Sequence, residues 1–424
     1  MAERVKTFSN LPTEMKLNVF AFIRNDSDQA NVCLVSREWR SLMAPILWET
    51  LIISTDTLCS DQLATLLHPN NGVLRNVRHL HMASSDSTDI TACEPRLEAL
   101  MQLLIGALPK NSLLALTSLQ AISVPLLLNA LQCQQTLEEL EICIESEDHA
   151  SHLGVSVAAH GPWLAPTLSG VQTMTIFLDD DQSYTISGTL ISSSQQLEDL
   201  TVMGTSSFAS LEHRGGRFDV IGTPNATSVD CLMTKLRSLA LFGLDLRPTS
   251  TLDKYLDSTR LRKLRLVGCI GVIPLLRSLA EAFTRACSLQ ELEVSSMGIT
   301  WEPGVTQAIQ GLLNSFSGIK HLWLALEEAP MVSISCLARH GSTLRQLGLD
   351  PKSGPEVSSL VNLLTACPHL EGLAVDFGSI ELGHIHKLGS DFTLQKATDV
   401  PHVQTRLEAF LVIINICNEF RTLY

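Results

Sequence analysis

Basic residues are in short supply in this sequence. Lys and Arg number 30 against 44 Asp and Glu, which leaves a net charge of −14. No Lys/Arg run is present, so the chain lacks the basic face that nucleic acids and anionic membranes require. Neither is expected as a partner. The opening stretch "MAERVKTFSN" lacks the apolar core of a secretory signal. The longest apolar runs, "LEALMQLLIGAL" from Leu97 and "LEAFLVIINIC" from Leu407, are too short to span a bilayer. The 11 cysteines are scattered, with no C-x-x-C spacing and no Cys/His cluster. That pattern argues against a disulfide framework or zinc site and fits reduced, buried thiols. An intracellular location, cytoplasm or nucleus, is expected. The "NAT" at Asn225 has the form of a glycosylation sequon, which without a signal segment reads as chance.

Catalytic motifs are missing as well. No G-x-x-x-x-G-K-[S/T], G-x-G-x-x-G or H-E-x-x-H is present. His79 and His81 flank Leu80, and His384 and His386 flank Ile385. Each pair would share one face of a strand, but neither has an acidic or Cys partner nearby in sequence, so both read as surface histidines. Asp179–Asp181 follows a strand pattern and reads as a solvated turn. No Ser/His/Asp set is ordered by a nucleophile elbow. The sequence predicts no enzyme, no metal and no cofactor.

What the chain does have is leucine in a fixed rhythm. At 424 residues, with 45% apolar and 17% charged residues, it is long enough for about three globular domains. The phrase L-x-x-L-x-[L/I/V] recurs as "LEELEI" from Leu137, "VQTMTI" from Val171, "LEDLTV" from Leu197, "LRSLAL" from Leu236 and "LRKLRL" from Leu261. It continues as "LQELEV" from Leu289, "IKHLWL" from Ile319, "LRQLGL" from Leu344 and "LEGLAV" from Leu370. Weaker copies start at Val77 and Leu116. From Val171 onward the spacing is 25 to 30 residues, with one interval of 39. Such a period marks a repeat architecture.

The last two apolar positions of each phrase alternate with polar ones, as in a half-buried strand. Between the strands, "LLRSLAEAFTRA" from Leu275, "VTQAIQGLLNSF" from Val305 and "VSSLVNLLTA" from Val357 carry apolar residues at helical spacing. Each unit is therefore one strand and one helix, and stacked units share a core that no single unit could close. The expected fold is α/β, an irregular solenoid over residues 51–424 with a concave parallel sheet and helices on the convex side. It resembles the helix-backed leucine-rich repeats of the ribonuclease-inhibitor type. Loop insertions are expected near 144–170, 204–232 and 377–403. At the chain end, "NICNEFRTL" echoes "TACPHLEGL", so the last residues are expected to form a strand without a polar cap.

The first fifty residues follow another pattern. After a tail over 1–10, Pro12 suits a helix start, and Met15, Val19, Phe22 and Ile23 form one stripe. "NDSDQ" breaks that helix, with Asp26 or Ser27 as the next cap. Ala30, Cys33 and Leu34 are expected on the inner face of the second helix. Trp39, Leu42 and Met43 mark a third, which Pro45 should end. Three short helices bury little by themselves, so the apolar excess suggests that another protein covers one side. The order L-P-x-E, short helix, acidic break, "LVSREWRSL" and "LW" over Leu11–Trp48 resembles the F-box, and the wording is similar to F-box proteins of filamentous fungi.

The resemblance, an F-box over 11–50 followed by leucine-rich repeats, implies a role and no reaction. It implies docking on the Skp-type adaptor of a cullin-RING (SCF) ubiquitin ligase, with the repeats presenting an unidentified protein substrate. It also implies adaptor contacts at Leu11, Pro12, Val19, Ile23, Leu34, Val35 and Trp39. The alternative is a leucine-rich-repeat scaffold, or an F-box protein acting with the adaptor outside a ligase. For substrate, strand alternation points to a concave patch of Phe242, Lys263, Arg265, Glu291, Glu293, His321 and Trp323. Trp323 would be its centre, with room beside the ring at Ala325 and Gly348 and an acidic pair one strand away. Such a patch would favour an apolar anchor next to basic residues.

Overall fold

A computed structural model describes residues 8, 11–54, 60–68, 71–83, 95–144, 161–178, 181–204, 233–247, 256–296, 302–326, 332–351 and 357–375. The chain divides into two compact units, Met1–Asp179 and Asp180–Tyr424.

The first unit opens with three helices, α1 (Thr13–Phe20), α2 (Asp26–Val35) and α3 (Arg37–Leu47). Strands β1 (Thr50–Ser54), β2 (His79–Ala83), β3 (Ala115–Ile122), β4 (Glu139–Ile144) and β5 (Thr173–Leu178) follow. Between them lie α4 (Ser60–Leu66), α5 (Pro95–Ala107), α6 (Val124–Cys133) and α7 (Gly161–Thr167). The strands pair in chain order and all in parallel. The second unit runs α8 (Asp181–Ser193), β6 (Asp199–Gly204), β7 (Ser238–Phe242), β8 (Lys263–Val267), α9 (Val272–Phe283) and β9 (Glu291–Ser295). It continues with α10 (Val305–Ser315), β10 (His321–Leu326), α11 (Ile334–Ala338), β11 (Gln346–Pro351), α12 (Val357–Ala366) and β12 (Gly372–Val375). Here too, neighbouring strands from β6 to β12 are parallel and consecutive.

The recurring leucines explain this order. In the second unit Leu200, Leu239, Leu264, Leu292, Leu322, Leu347 and Leu373 stand in one register row, none more than 6% exposed. In the first unit Leu51, Leu80, Leu116, Leu140 and Met174 form the matching buried row. A parallel strand needs a crossover of a dozen or more residues to its neighbour, and the helices supply it where they are present. On α9, Val272, Leu275, Leu276, Leu279 and Phe283 are buried, the spacing of a single apolar stripe. The ring of Phe283 meets Phe316 edge-on at 5.3 Å. α9 starts from Gly271 at φ 69°, where an added Cβ would lie 2.5 Å from the Arg247 backbone nitrogen. Only glycine fits there.

The repeats lack a fixed Asn, and two other side chains satisfy the backbone between units. Gln134 Oε1 accepts from the backbone N–H groups of Ser112 and Leu113, and its Nε2 donates to Pro109 O at 3.0 Å. His340 Nδ1 accepts from Ile319 N–H, so its Nε2 carries the proton and donates to Leu313 O at 3.0 Å. Both side chains are fully buried. Both serve the turn two residues before a strand start, at β3 and β10. Burial lowers the His340 pKa below its usual value, and the Arg339 charge adds to this against the opposing Leu313 bond. The ring is therefore kept neutral.

Several expectations need correction. β1 was not among the recognised phrases, because Trp48 stands where the leading leucine belongs in "WETLII". Pro45 lies inside α3 and does not end it. α2 is capped by Asn25, whose side chain accepts from Ser27 N and Asp28 N, and not by Asp26 or Ser27. Helix α7 occupies part of the stretch 144–170 that read as loop. Between β7 and β8 the described residues include Asp245 and Leu256, bridged to Ile270 and Met233, and residues 248–255 lie outside the described residues. Asp181 begins α8. Asp179, Asp180, most of the three expected insertions, His384, His386 and the chain-end echo lie outside the described residues. Among the described residues, no helix is long and apolar enough to cross a membrane.

Candidate interaction surfaces

The helical module of the first unit is built around aromatic rings. Trp39 on α3 lies 5.1 Å from the Phe8 ring and 5.5 Å from the Phe20 ring, both edge-on. Phe20 and Met43 are fully buried. Lys16 of α1 is buried and reaches Glu38 of α3 in an ion pair. Gln29 of α2, also buried, donates to Ile23 O at 2.7 Å. Polar side chains thus tie the three helices where apolar ones were expected. Trp39 packs on these rings and is half-buried, so part of its surface stays accessible.

The apolar stripe of α1 faces outward. Met15, Leu17, Val19, Phe22, Leu34 and Val35 are six of the ten large apolar side chains exposed among the described residues, and all lie within 15–35. Phe22 is 83% exposed and Leu34 73%. Pro12 is exposed, and Leu11 and Ile23 are half-buried. Of the expected adaptor contacts, Val19, Leu34, Val35 and Pro12 are therefore accessible. Met15 and Phe22, members of the α1 stripe outside the expected contact set, are exposed beside them. Ala30 is exposed and Cys33 half-buried, so the expected inner face of α2 is not the buried one.

On the second unit, the helix-free face of the sheet carries the other site. Register places Lys263, Glu291, His321, Gln346 and Gly372 in one row, and Arg265, Glu293, Trp323, Gly348 and Ala374 in the next. Lys263 pairs with Glu291 at 2.9 Å, and Arg265 pairs with Glu293. Arg265 also lies over the Phe242 ring, 5.6 Å from its centroid. His321 Nδ1 donates to Gln346 Oε1 at 3.0 Å. Trp323 is 46% exposed, the only large apolar side chain so open among the described residues of this unit. Its benzene ring rests directly over Gly348, where a Cβ would overlap it. All of these groups except Phe242 bound an open groove of about 430 Å³.

The expected residues are brought together here, with two corrections. The space beside Trp323 at Gly348 is filled by the indole itself, and Ala325 is buried. Glu291 and Glu293 are not a free acidic pair, because the cations of β8 already engage them. Strand alternation would also turn Ala240, Val267 and Ser295 toward this face, but all three are buried. On the first unit, His79 and His81 share the helix-free face of β2, both half-buried. Among the described residues no three His, Cys, Asp or Glu side chains gather as a metal would need.

Comparison with known proteins gives three findings. No curated protein matches the sequence. Among solved structures, the crystal structure of the Rad7 and Elc1 complex in yeast is similar at 14% identity with a TM-score of 0.39, covering 72% of this chain and 71% of that one. A family model described as F-box-like matches residues 8–54, the span of the three helices and β1. The similarity to F-box-like domains is thus confined to residues 8–54.

Proposed function

We propose that this chain is the substrate-recognition subunit of an SCF-type cullin-RING ubiquitin ligase. In this reading the F-box-like domain docks on a Skp-type adaptor. The strand–helix units, read as leucine-rich repeats, hold a protein substrate on their helix-free face. The observation that carries the reading is the concentration of exposed apolar side chains within the F-box-like match. A soluble surface rarely leaves Phe22, Leu34 and Val35 in water without a partner to cover them. The groove around Trp323 supports the second half, since exposed Trp is enriched where partners bind. The chain then supplies proximity, and the reacting groups belong to the rest of the ligase.

The test is affinity capture of the tagged full chain from cells, with the bound proteins identified by mass spectrometry. Adaptor together with cullin supports the ligase reading. Adaptor without cullin overturns the ligase, and neither overturns the whole proposal.

A further inference from the structure

We propose that the groove of the second unit takes an extended peptide segment of its partner through an arginine or lysine side chain. That side chain stacks on the exposed face of Trp323, with its cation toward the carboxylates of Glu291 and Glu293. The inference rests on the substrate-receptor reading above and names the class of segment that the receptor takes.

The geometry suits a cation. One face of the indole rests on Gly348, which holds the ring against the sheet and leaves the other side open. An aromatic face attracts a cation within about 6 Å of its centroid. Glu293 stands in register with Trp323 on the adjacent strand, and adjacent strands lie about 4.8 Å apart. The ring leans over Gly348, away from Glu293 and about two strand spacings from its strand, so the aliphatic stem of the side chain covers the ring and its cation extends back toward the carboxylates. Glu293 bonds Arg265 through Oε2, and Glu291 bonds Lys263 through Oε2. No bond to Oε1 of either is seen among the described residues, which leaves an acceptor on each. Beyond the ring, Gly372 and Ala374 present little bulk, so a peptide main chain can lie close to the sheet there.

Other occupants fit less well. Lys263 and Arg265 keep unused N–H donors beside their ion pairs, so an acidic segment is disfavoured by the charge of the whole chain and not by these contacts. A purely apolar segment would cover two ion pairs without offering them hydrogen bonds, and burying charge in that way is unfavourable. The chain as a whole, at −14, attracts a basic partner and repels an acidic one.

The test is selection of a random 12-residue peptide display library on the purified full chain. Selected peptides are then synthesised and titrated by fluorescence anisotropy. Enrichment of Arg or Lys is expected, with affinity falling about tenfold or more in Trp323→Leu and also in Glu293→Gln. Replacing the selected arginine with citrulline, which keeps the shape and removes the charge, should weaken binding by a similar factor. Trp323→Leu keeps an apolar cover over Gly348, and Glu293→Gln keeps the side-chain shape, so melting temperature separates binding from folding. Enriched acidic or purely apolar peptides would overturn the inference. So would basic peptides that bind both variants as well as the parent, or a library that yields no binder. Adaptor binding is measured on the same samples. A chain that binds adaptor without selecting basic peptides loses this inference alone, and a chain that selects them without binding adaptor loses the receptor reading alone.

Discussion

Replacing Leu292 with alanine should cost the second unit far more than replacing its neighbour Glu291. Leu292 is 2% exposed and stands in register between Leu264 and Leu322, both also buried. Leu→Ala removes three carbons, about 2.4 kcal/mol of transfer free energy at ~0.8 kcal/mol each. The row is continuous from strand to strand, so the neighbours cannot collapse into the gap without shifting their own strands. A cavity contribution therefore adds to the transfer loss and brings the total to about 3–5 kcal/mol. Glu291 loses an ion pair to Lys263 in which both partners are about two-fifths exposed. Such a pair contributes about 1 kcal/mol or less. Urea unfolding followed by circular dichroism measures both. A Glu291→Ala variant as destabilised as Leu292→Ala would refute the strand register and with it the groove.

Three further outcomes follow from the buried polar groups and the groove floor. Gln134→Leu leaves the Ser112 and Leu113 backbone donors without their acceptor, and urea titration should show a loss of about 2–4 kcal/mol. The folded His340 pKa lies below its usual value, so its contribution is present above the unfolded pKa of about 6.5 and is lost as pH falls through the folded value. Unfolding free energy measured from pH 7.5 to pH 5 should fall more steeply in the parent than in His340→Gln, and equal slopes would contradict the account. Gly348→Ala forces the Trp323 ring off the sheet, so tryptophan emission should shift to longer wavelength, and an unchanged spectrum would show that the ring does not rest there.

How much of this was legible in the sequence depends on what each residue reports. The strands β4 to β12 were legible because a large buried apolar residue, leucine in all but β5, repeats at a fixed position, and alternation then assigns Lys263, Glu291, His321 and Trp323 to one face. β1 was missed because its leading position is Trp48, which fills the same space without matching the letter. Alternation also overreached. Ala240 in the middle of β7, and Val267, Ser295 and Ala325 at or next to their strand ends, keep the strand period but are buried. In the helical module, spacing identified the α1 stripe but not its direction. A short helix can turn its apolar side outward when Phe20, Trp39 and a Lys16–Glu38 pair already hold its inner side. The partners of Gln134 and His340 lie 21 to 27 residues away in sequence, and single-residue chemistry gives no sign of them.

Calorimetric titration of a purified Skp-type adaptor into the full chain tests the central claim most directly. The account predicts one-to-one binding that weakens at least tenfold in the double variant Phe22→Ala, Leu34→Ala. The melting temperature should stay near the parent value, because both side chains are mostly in solvent. No heat of binding with the parent chain, or equal affinity in the double variant, would contradict it.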